Sequence, residues 1–197
     1  MRYTLALLLL CSIVLTPLVS LSQEAASAQE TDTSLVVRAD AGLEYYALDA
    51  GPDMGFNGAA VSTSLMLGYE LAPAFIPHVM LTGTMTEVTT LFSDKGAFTA
   101  STLLFVGLIT AGITTQTEWG GFASVGAGIG AATWDGPAKH ELRTDPGFAW
   151  QAALGVEGDI SDTWHLGIAA RVHQAFLSDG ADVDTIGAGL AASISYQ

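Results

Sequence analysis

The strongest constraint on this chain is a two-residue alternation of apolar with small or polar side chains, repeated along segments of ten to fourteen residues. Successive side chains of a β-strand point to opposite faces, so a period of two predicts strands. The clearest segment runs from Ile186 to Tyr196, with an apolar side chain at every second position and Gly, Ala or Ser between. The alternation therefore predicts an all-β chain.

Eight such segments follow one another between residues 35 and 197, with turn-forming residues between them. Six are clear and two are weaker. Residues 78–88 carry threonines on one face, and residues 98–113 are apolar on both faces, which leaves their register open. Bacterial single-chain membrane barrels have an even number of antiparallel strands. We therefore predict an eight-stranded antiparallel up-and-down transmembrane β-barrel.

The distribution of side chains between the two faces indicates a membrane. One face carries large apolar residues, and the other mixes Gly, Ala, Ser and Thr with a few charges, which reverses the pattern of a soluble barrel. The segments are also longer than an average soluble strand and match the length of about nine to eleven residues that crosses a bilayer. We expect the following residues to face lipid: Leu43, Leu65, Leu67, Leu154, Ile168, Leu190, Ile194 and Tyr196.

The connections and the aromatic residues agree with this interpretation. Long polar connections are predicted at residues 49–57, 89–97 and 135–146, and shorter ones at 71–77, 114–118 and 160–163. The final connection, 178–184, is acidic but no longer than 71–77, so it adds little to this alternation of long and short connections. Long external loops and short periplasmic turns are typical of outer-membrane barrels. Two aromatic girdles are expected near the segment ends, formed by Tyr45, Tyr46, Tyr69, Trp119, Trp134, Trp164 and Tyr196.

Two other folds fit less well. The uncharged stretch 97–117 could be tested as a transmembrane helix, but its strongly apolar part, 103–113, is too short to span a bilayer. A soluble, lipocalin-like periplasmic barrel would hide its large apolar residues inside. Both alternatives leave the apolar face of the segments without an explanation.

The first 28 residues have the features of a secretory signal peptide. Arg2 precedes an apolar run from Leu5 to Leu15, and Ala26-Ser27-Ala28 supplies a cleavage site. The run is too short for a comfortable membrane anchor. We expect the mature chain to begin at Gln29.

The mature chain then divides into a short polar lead-in, residues 29–34, and the barrel domain, residues 35–197. Cys11 is the only cysteine and lies in the segment that is removed, so a disulfide or a thiolate metal site is not expected. The chain has 20 acidic and 6 basic side chains, a formal net charge of −14, which argues against nucleic-acid binding.

Polar and charged residues on the other face are expected to form a network inside the barrel: Arg38, Asp40, Glu44, Gln151, Glu157, His165, Arg171 and His173. Arg171 lies mid-strand, where an unpaired charge is costly, so Asp40, Glu44, Gln151 or Glu157 should partner it. A hairpin turning near Ser161 places Gln151 or Ala153 opposite Arg171, and Glu157 or Asp159 opposite His165. The network either fills and rigidifies the barrel or forms a path for protons or small solutes.

Catalytic and metal sites have weaker support. His173, Ser178 and Asp179 could form a nucleophile set near the external rim, but no recognised motif surrounds them, and we do not expect an enzyme. Asp179, Asp182 and Asp184 lie in one connection, but their spacing is not that of an EF-hand. His140 with Glu141 is an equally weak candidate for a metal site, and the four histidines do not have the close spacing of metal ligands. No metal and no cofactor are expected.

The pattern resembles the small eight-stranded outer-membrane barrels of the OmpA, OmpX and OmpW type over residues 35–197. The resemblance rests on architecture and not on a diagnostic motif. Such barrels usually end in an aromatic residue that the assembly machinery reads. In this chain Gln197 follows Tyr196, which displaces the terminal signal by one residue.

The resemblance implies a monomer in the bacterial outer membrane, in contact with outer-membrane lipid and with the assembly machinery. It implies a structural or surface-interaction role with a largely plugged lumen. A narrow channel for small or hydrophobic solutes is the alternative, and a lipid-A-modifying enzyme is a third possibility. The sequence names no external ligand.

Overall fold

The computed structural model describes residues 34–49, 55–71, 74–89, 101–135, 141–178 and 182–197. The regular elements of these residues are β-strands, in the order β1 (Leu35–Asp49), β2 (Gly55–Tyr69), β3 (Phe75–Thr89), β4 (Ser101–Gln116), β5 (Gly121–Asp135), β6 (Glu141–Arg143), β7 (Asp145–Asp159), β8 (Trp164–Ser178) and β9 (Asp182–Tyr196). Within these ranges, no helix is long and apolar enough to span a membrane. The predicted signal peptide and lead-in lie almost entirely outside the described residues.

The eight long strands form a closed antiparallel barrel. Each pairs with its neighbours along the chain, with β7 next to β5, and the ring closes where β1 pairs with β9. At this closure Leu43 lies opposite Leu190. The predicted eight-stranded up-and-down barrel is therefore confirmed.

The short strand β6 was not predicted. Residues 135–146 were expected to be a connection, but Glu141–Arg143 pairs with the end of β5. Thr144 continues this pairing, because its N–H donates to the Ala132 carbonyl over 3.1 Å and its Oγ1 accepts from the Ala132 N–H over 2.9 Å. The hairpin formed by β5 and β7 therefore extends further than the sequence indicated.

We name the two ends of the barrel by their connections. The turn end holds the connections Glu70–Ala74, Thr117–Gly120 and Ile160–Thr163, and the loop end is the opposite one. The loop-end connections contain residues 50–54, 90–100, 136–140 and 179–181, which lie outside the described residues. The strands take up residues assigned to the connections 49–57, 135–146 and 178–184, whereas the connection between β3 and β4, residues 90–100, is longer than the predicted 89–97.

The outside of the barrel is an apolar belt. Among the residues expected to face lipid, Leu43, Ile168 and Leu190 are 70%, 67% and 71% exposed. Leu67 and Leu154 are also exposed, and Leu65, Ile194 and Tyr196 are partly exposed on the same face. A soluble monomer rarely exposes a continuous apolar surface of this extent. The belt therefore suits contact with a lipid phase.

The aromatic girdles are only partly as predicted. Tyr45, Tyr69 and Trp119 are exposed, and Trp164 packs edge-on against Tyr196 with ring centroids 5.4 Å apart. Tyr46 and Trp134, by contrast, are buried inside the barrel. The prediction was wrong for these two because position near a strand end was weighed above the period of two, which places Tyr46 on the same face as Glu44.

The interior has three layers. At the loop end an apolar cluster is built from Tyr46, Leu48, Ala60, Leu104, Val106, Leu108, Ala132, Trp134, Ala149, Ala175, Leu177 and Val183. At the turn end a smaller apolar cluster consists of Val36, Met66, Ile76 and Met80. Polar and charged side chains lie between them. The interior was expected to combine small residues with charges throughout, so the apolar half at the loop end is a correction.

Candidate functional site

A buried ion pair crosses the polar layer. Arg38 on β1 donates from Nε and Nη2 to the two carboxylate oxygens of Glu157 on β7, each over 2.9 Å. The guanidinium carbon lies 4.0 Å from the centroid of the Phe122 ring, and Ser193 Oγ donates to Glu157 Oε1 over 3.3 Å. Because β1 and β7 are not neighbouring strands, this pair joins separate walls of the barrel.

A second link runs from β8 to β2. Arg171 donates from Nη1 to Ser64 Oγ over 3.0 Å and from Nη2 to Ser62 Oγ. Ser64 in turn donates to Asp40 Oδ2 over 2.6 Å. Arg171 Nη2 also lies 4.0 Å from Glu44 Oε2, which makes Glu44 its nearest carboxylate.

Glu44 and His173 meet just below the loop-end apolar cluster. Thr84 Oγ1 on β3 donates to Glu44 Oε1 over 2.8 Å, and His173 Nε2 lies 3.3 Å from the same oxygen. The Tyr46 ring stands edge-on to the imidazole, with centroids 6.0 Å apart. A Cβ at Gly187 would collide with the imidazole, so this glycine makes the space that His173 occupies.

Gln151 links a further wall of the barrel. Its amide nitrogen donates to Thr110 on β4, and its amide oxygen accepts from Thr82 on β3 over 3.0 Å. Beside it lies a cavity in which the centre of a water molecule can move through about 20 Å³, lined in part by Arg38, Asp40 and Arg171. This space holds about one water molecule, far less than an open pore.

The sequence-predicted network residues do not all meet. His165 lies near the turn end, where its Nδ1 is 2.7 Å from Asp159 Oδ1, apart from the central links. The strand register places Ala153 opposite Arg171 and Asp159 opposite His165, each one of two alternatives left open by the sequence. Glu157, a proposed partner of Arg171, pairs with Arg38 instead, and Gln151 bonds to threonines.

Sequence reasoning missed the hydroxyl residues of the network. Ser62, Ser64, Thr82, Thr84 and Thr110 are buried and bond to the charged or amide side chains. Their signal was present, because serines and threonines recur at every second position on β2 and β3. A hydroxyl at an inward position can serve as a partner for a buried charge.

The structure does not assemble the catalytic or metal sets considered from the sequence. His173 points inward, whereas Ser178 is exposed on the opposite face of β8, and Asp179 and His140 lie outside the described residues. Asp182 and Asp184 are exposed at the loop end. Within the described ranges, no group of three or more His, Cys, Asp or Glu side chains could hold a metal ion.

Comparison with known proteins identifies the fold and no more. No protein-family model matches this sequence, and none of the curated proteins matches it. Among solved structures, the Neisserial surface protein A, NspA, matches over 84% of this chain and 99% of its own length, with a TM-score of 0.54 and 14% identity. The chain has the fold of the small eight-stranded outer-membrane β-barrels.

Two further solved structures match this chain with TM-scores below 0.5. Ail, the attachment invasion locus protein of Yersinia pestis, covers 81% of this chain and 99% of its own, at 13% identity and a TM-score of 0.48. OprG from Pseudomonas aeruginosa covers 82% of this chain and 94% of its own, at 10% identity and a TM-score of 0.43.

Proposed function

We propose that this protein is a bacterial outer-membrane β-barrel with a closed interior and a structural or surface-interaction role. The observation that carries the proposal is the set of side-chain links across the polar layer, above all Arg38 to Glu157 and Arg171 to Ser62 and Ser64. Apolar clusters bound this layer at both ends. Eight strands enclose an interior that side chains alone can fill.

The membrane location is supported by three independent features. The apolar belt covers the outward face of the strands. The sequence begins with a predicted signal peptide, and the fold matches outer-membrane barrels. In that setting the turn end faces the periplasm and the loop end faces the exterior. Because the interior is filled, other molecules would be bound by the outward face or by the rim of the barrel at the loop end.

Conductance in planar bilayers tests the closed interior. The wild-type protein should show small currents or none. Arg171→Ala should increase a cation-selective leak, because Asp40 and Glu44 then face the lumen without their cation. Arg143→Ala removes the same charge from an exposed position on β6 and should leave conductance unchanged. Large, steady, nonselective currents from the wild type would refute the closed interior.

A narrow channel for small solutes is the second candidate function. It is supported by the cavity beside Gln151, which lies between the two arginines of the network. Swelling of vesicles in small sugars or amino acids separates the candidates, since a closed barrel should give no solute-dependent swelling.

We expect no enzymatic activity, so expression of the protein should leave the mass of lipid A unchanged.

A further inference from the structure

We propose that the barrel interior is a proton-binding site, in which the cluster of Asp40, Glu44, Arg171 and His173 holds one proton in the folded protein at pH 7.5. We call these four residues the Arg171 cluster. The proposal rests on the closed, lipid-surrounded interior of the proposed function. The proton is the ligand that such an interior must retain to be electrically neutral.

The charges inside the polar layer do not balance. Arg38 and Glu157 neutralise each other in a pair whose side chains are 2% and 1% exposed. Among the described arginines, Arg171 is then the buried one without a carboxylate of its own, and it faces two carboxylates: Glu44 directly at 4.0 Å, and Asp40 through the Ser64 hydroxyl. With both carboxylates ionised and the imidazole neutral, the Arg171 cluster carries one excess negative charge.

In the part of the chain that the structure describes, the surrounding elements supply no cation to this cluster beyond Arg38, which is already paired with Glu157. Besides the Arg171 cluster, the charged or titratable groups facing it are Arg38, Tyr46 and Glu157, with His78 nearer the turn end. β2 and β3 contribute hydroxyl groups there, and β9 contributes Gly187 and Gly189. Among the described basic residues, the third arginine, Arg143, is exposed outside the barrel.

An uncompensated charge in a closed interior is expensive, and a proton removes it at the smallest structural cost. Glu44 and Asp40 both depend on the single Arg171 guanidinium, and burial away from water favours the neutral form of a carboxyl group that lacks a counter-charge of its own. The cluster also has places for the proton to bond, because Glu44 Oε2 and both imidazole nitrogens of His173 lack a hydrogen-bond partner among the described residues. The proton belongs to the coupled cluster as a whole, whichever of its groups carries it.

Proton binding has a defined effect on stability. In the unfolded chain the carboxyl groups are ionised above about pH 5, so folding takes up a proton. Since the folded state then binds more protons than the unfolded state, stability falls as the pH rises. The folding equilibrium constant changes by up to about tenfold per pH unit until the cluster releases its proton.

The test compares folding equilibria in urea with lipid vesicles between pH 7.5 and 9, where free Asp, Glu and His side chains change charge little. We expect the wild-type constant to fall with pH by up to about tenfold per unit. Asp40→Asn and Glu44→Gln each remove one carboxylate, so the remaining cluster is neutral without a proton and the constant should be flat. Glu87→Gln removes an exposed carboxylate and should retain the wild-type slope.

A second measurement keeps the test decisive if one variant fails to fold. Refolding the wild type in weakly buffered micelles at pH 7.5 should take up one proton per chain, read with a pH indicator, and either foldable variant should take up none. A wild-type folding equilibrium constant that does not change with pH overturns the proposal. If that constant is independent of pH but changes with sodium concentration, the proposal is also overturned, because the site then binds a metal cation. The readout is independent of conductance, so a wild type that conducts but takes up a proton would refute only the closed interior.

Discussion

Arg38 shows what the sequence reveals about a single residue and what it omits. The period of two places its side chain inside the barrel. Its partner Glu157 is 119 residues away in sequence and on a strand that is not its neighbour. Which inward residues meet across a barrel depends on strand tilt and stagger, which alternation does not specify. The faces of the charged residues could therefore be predicted, and their partners could not.

The Arg38–Glu157 pair gives a prediction at this scale. Glu157→Gln should lower the free energy of unfolding by about 3–5 kcal/mol, because it leaves a buried guanidinium without its counter-charge. Asp159→Asn, two residues along the same strand, changes a carboxylate that is 82% exposed and should cost at most about 1 kcal/mol. Urea titration with lipid vesicles measures both, and similar losses would contradict a buried ion pair.

At the scale of a strand, β4 shows why one segment was ambiguous. Its inward residues Leu104 and Leu108 belong to the loop-end apolar cluster, and its outward residue Ile109 belongs to the apolar belt. Both faces are therefore apolar for different reasons, so alternation carries no information on register. The six segments that were clear have mainly polar or small residues at the inward positions in the middle of each strand, which is the condition under which a period of two identifies the face.

Glycine on β5 sets how closely β4 and β5 approach. A Cβ at Gly128 would collide with the Ile109 carbonyl and lie 2.8 Å from the Thr110 Cα, so backbone atoms would have to move. Gly128→Ala should reduce the folded fraction, seen as the heat-sensitive band in cold electrophoresis. Gly158→Ala meets no atom within 4 Å and should fold normally. Equal yields from the two variants would show that the strand spacing is adjustable.

The apolar belt is testable on β9. Leu190 is 71% exposed near the middle of the strand, where an arginine on the lipid face costs about 2–4 kcal/mol. Leu190→Arg should therefore impair folding into bilayers, while Leu190→Phe keeps an apolar surface and should fold like the wild type. Ser193 is a poor control, because it bonds to Glu157 inside the barrel. Normal folding of Leu190→Arg would place this face away from the hydrocarbon.

At the scale of the whole molecule, closure of the barrel was predictable and the layering of its interior was not. Eight alternating segments and their antiparallel order follow from the sequence. The loop-end apolar cluster draws on seven strands, each contributing only one to three residues. No single segment reveals such a cluster, because it exists only after the strands are assembled in register.

Maturation is a prediction for the whole chain. Signal peptidase should cleave after Ala28, so the protein extracted from outer membranes should begin at Gln29. Intact mass spectrometry measures this directly, since each alternative start gives a different mass. A mass that retains residues 1–28 would contradict the signal-peptide interpretation and favour an N-terminal anchor.

The two apolar clusters also isolate the guanidinium hydrogens between them from the surroundings. In nuclear magnetic resonance spectra of the protein in micelles, the side-chain N–H signals of Arg38 and Arg171 should be sharp and dispersed, and should persist after transfer to heavy water. Those of exposed Arg143 should exchange within the dead time. The lifetime of a single arginine hydrogen would thus report how often the interior opens, without a current or a label.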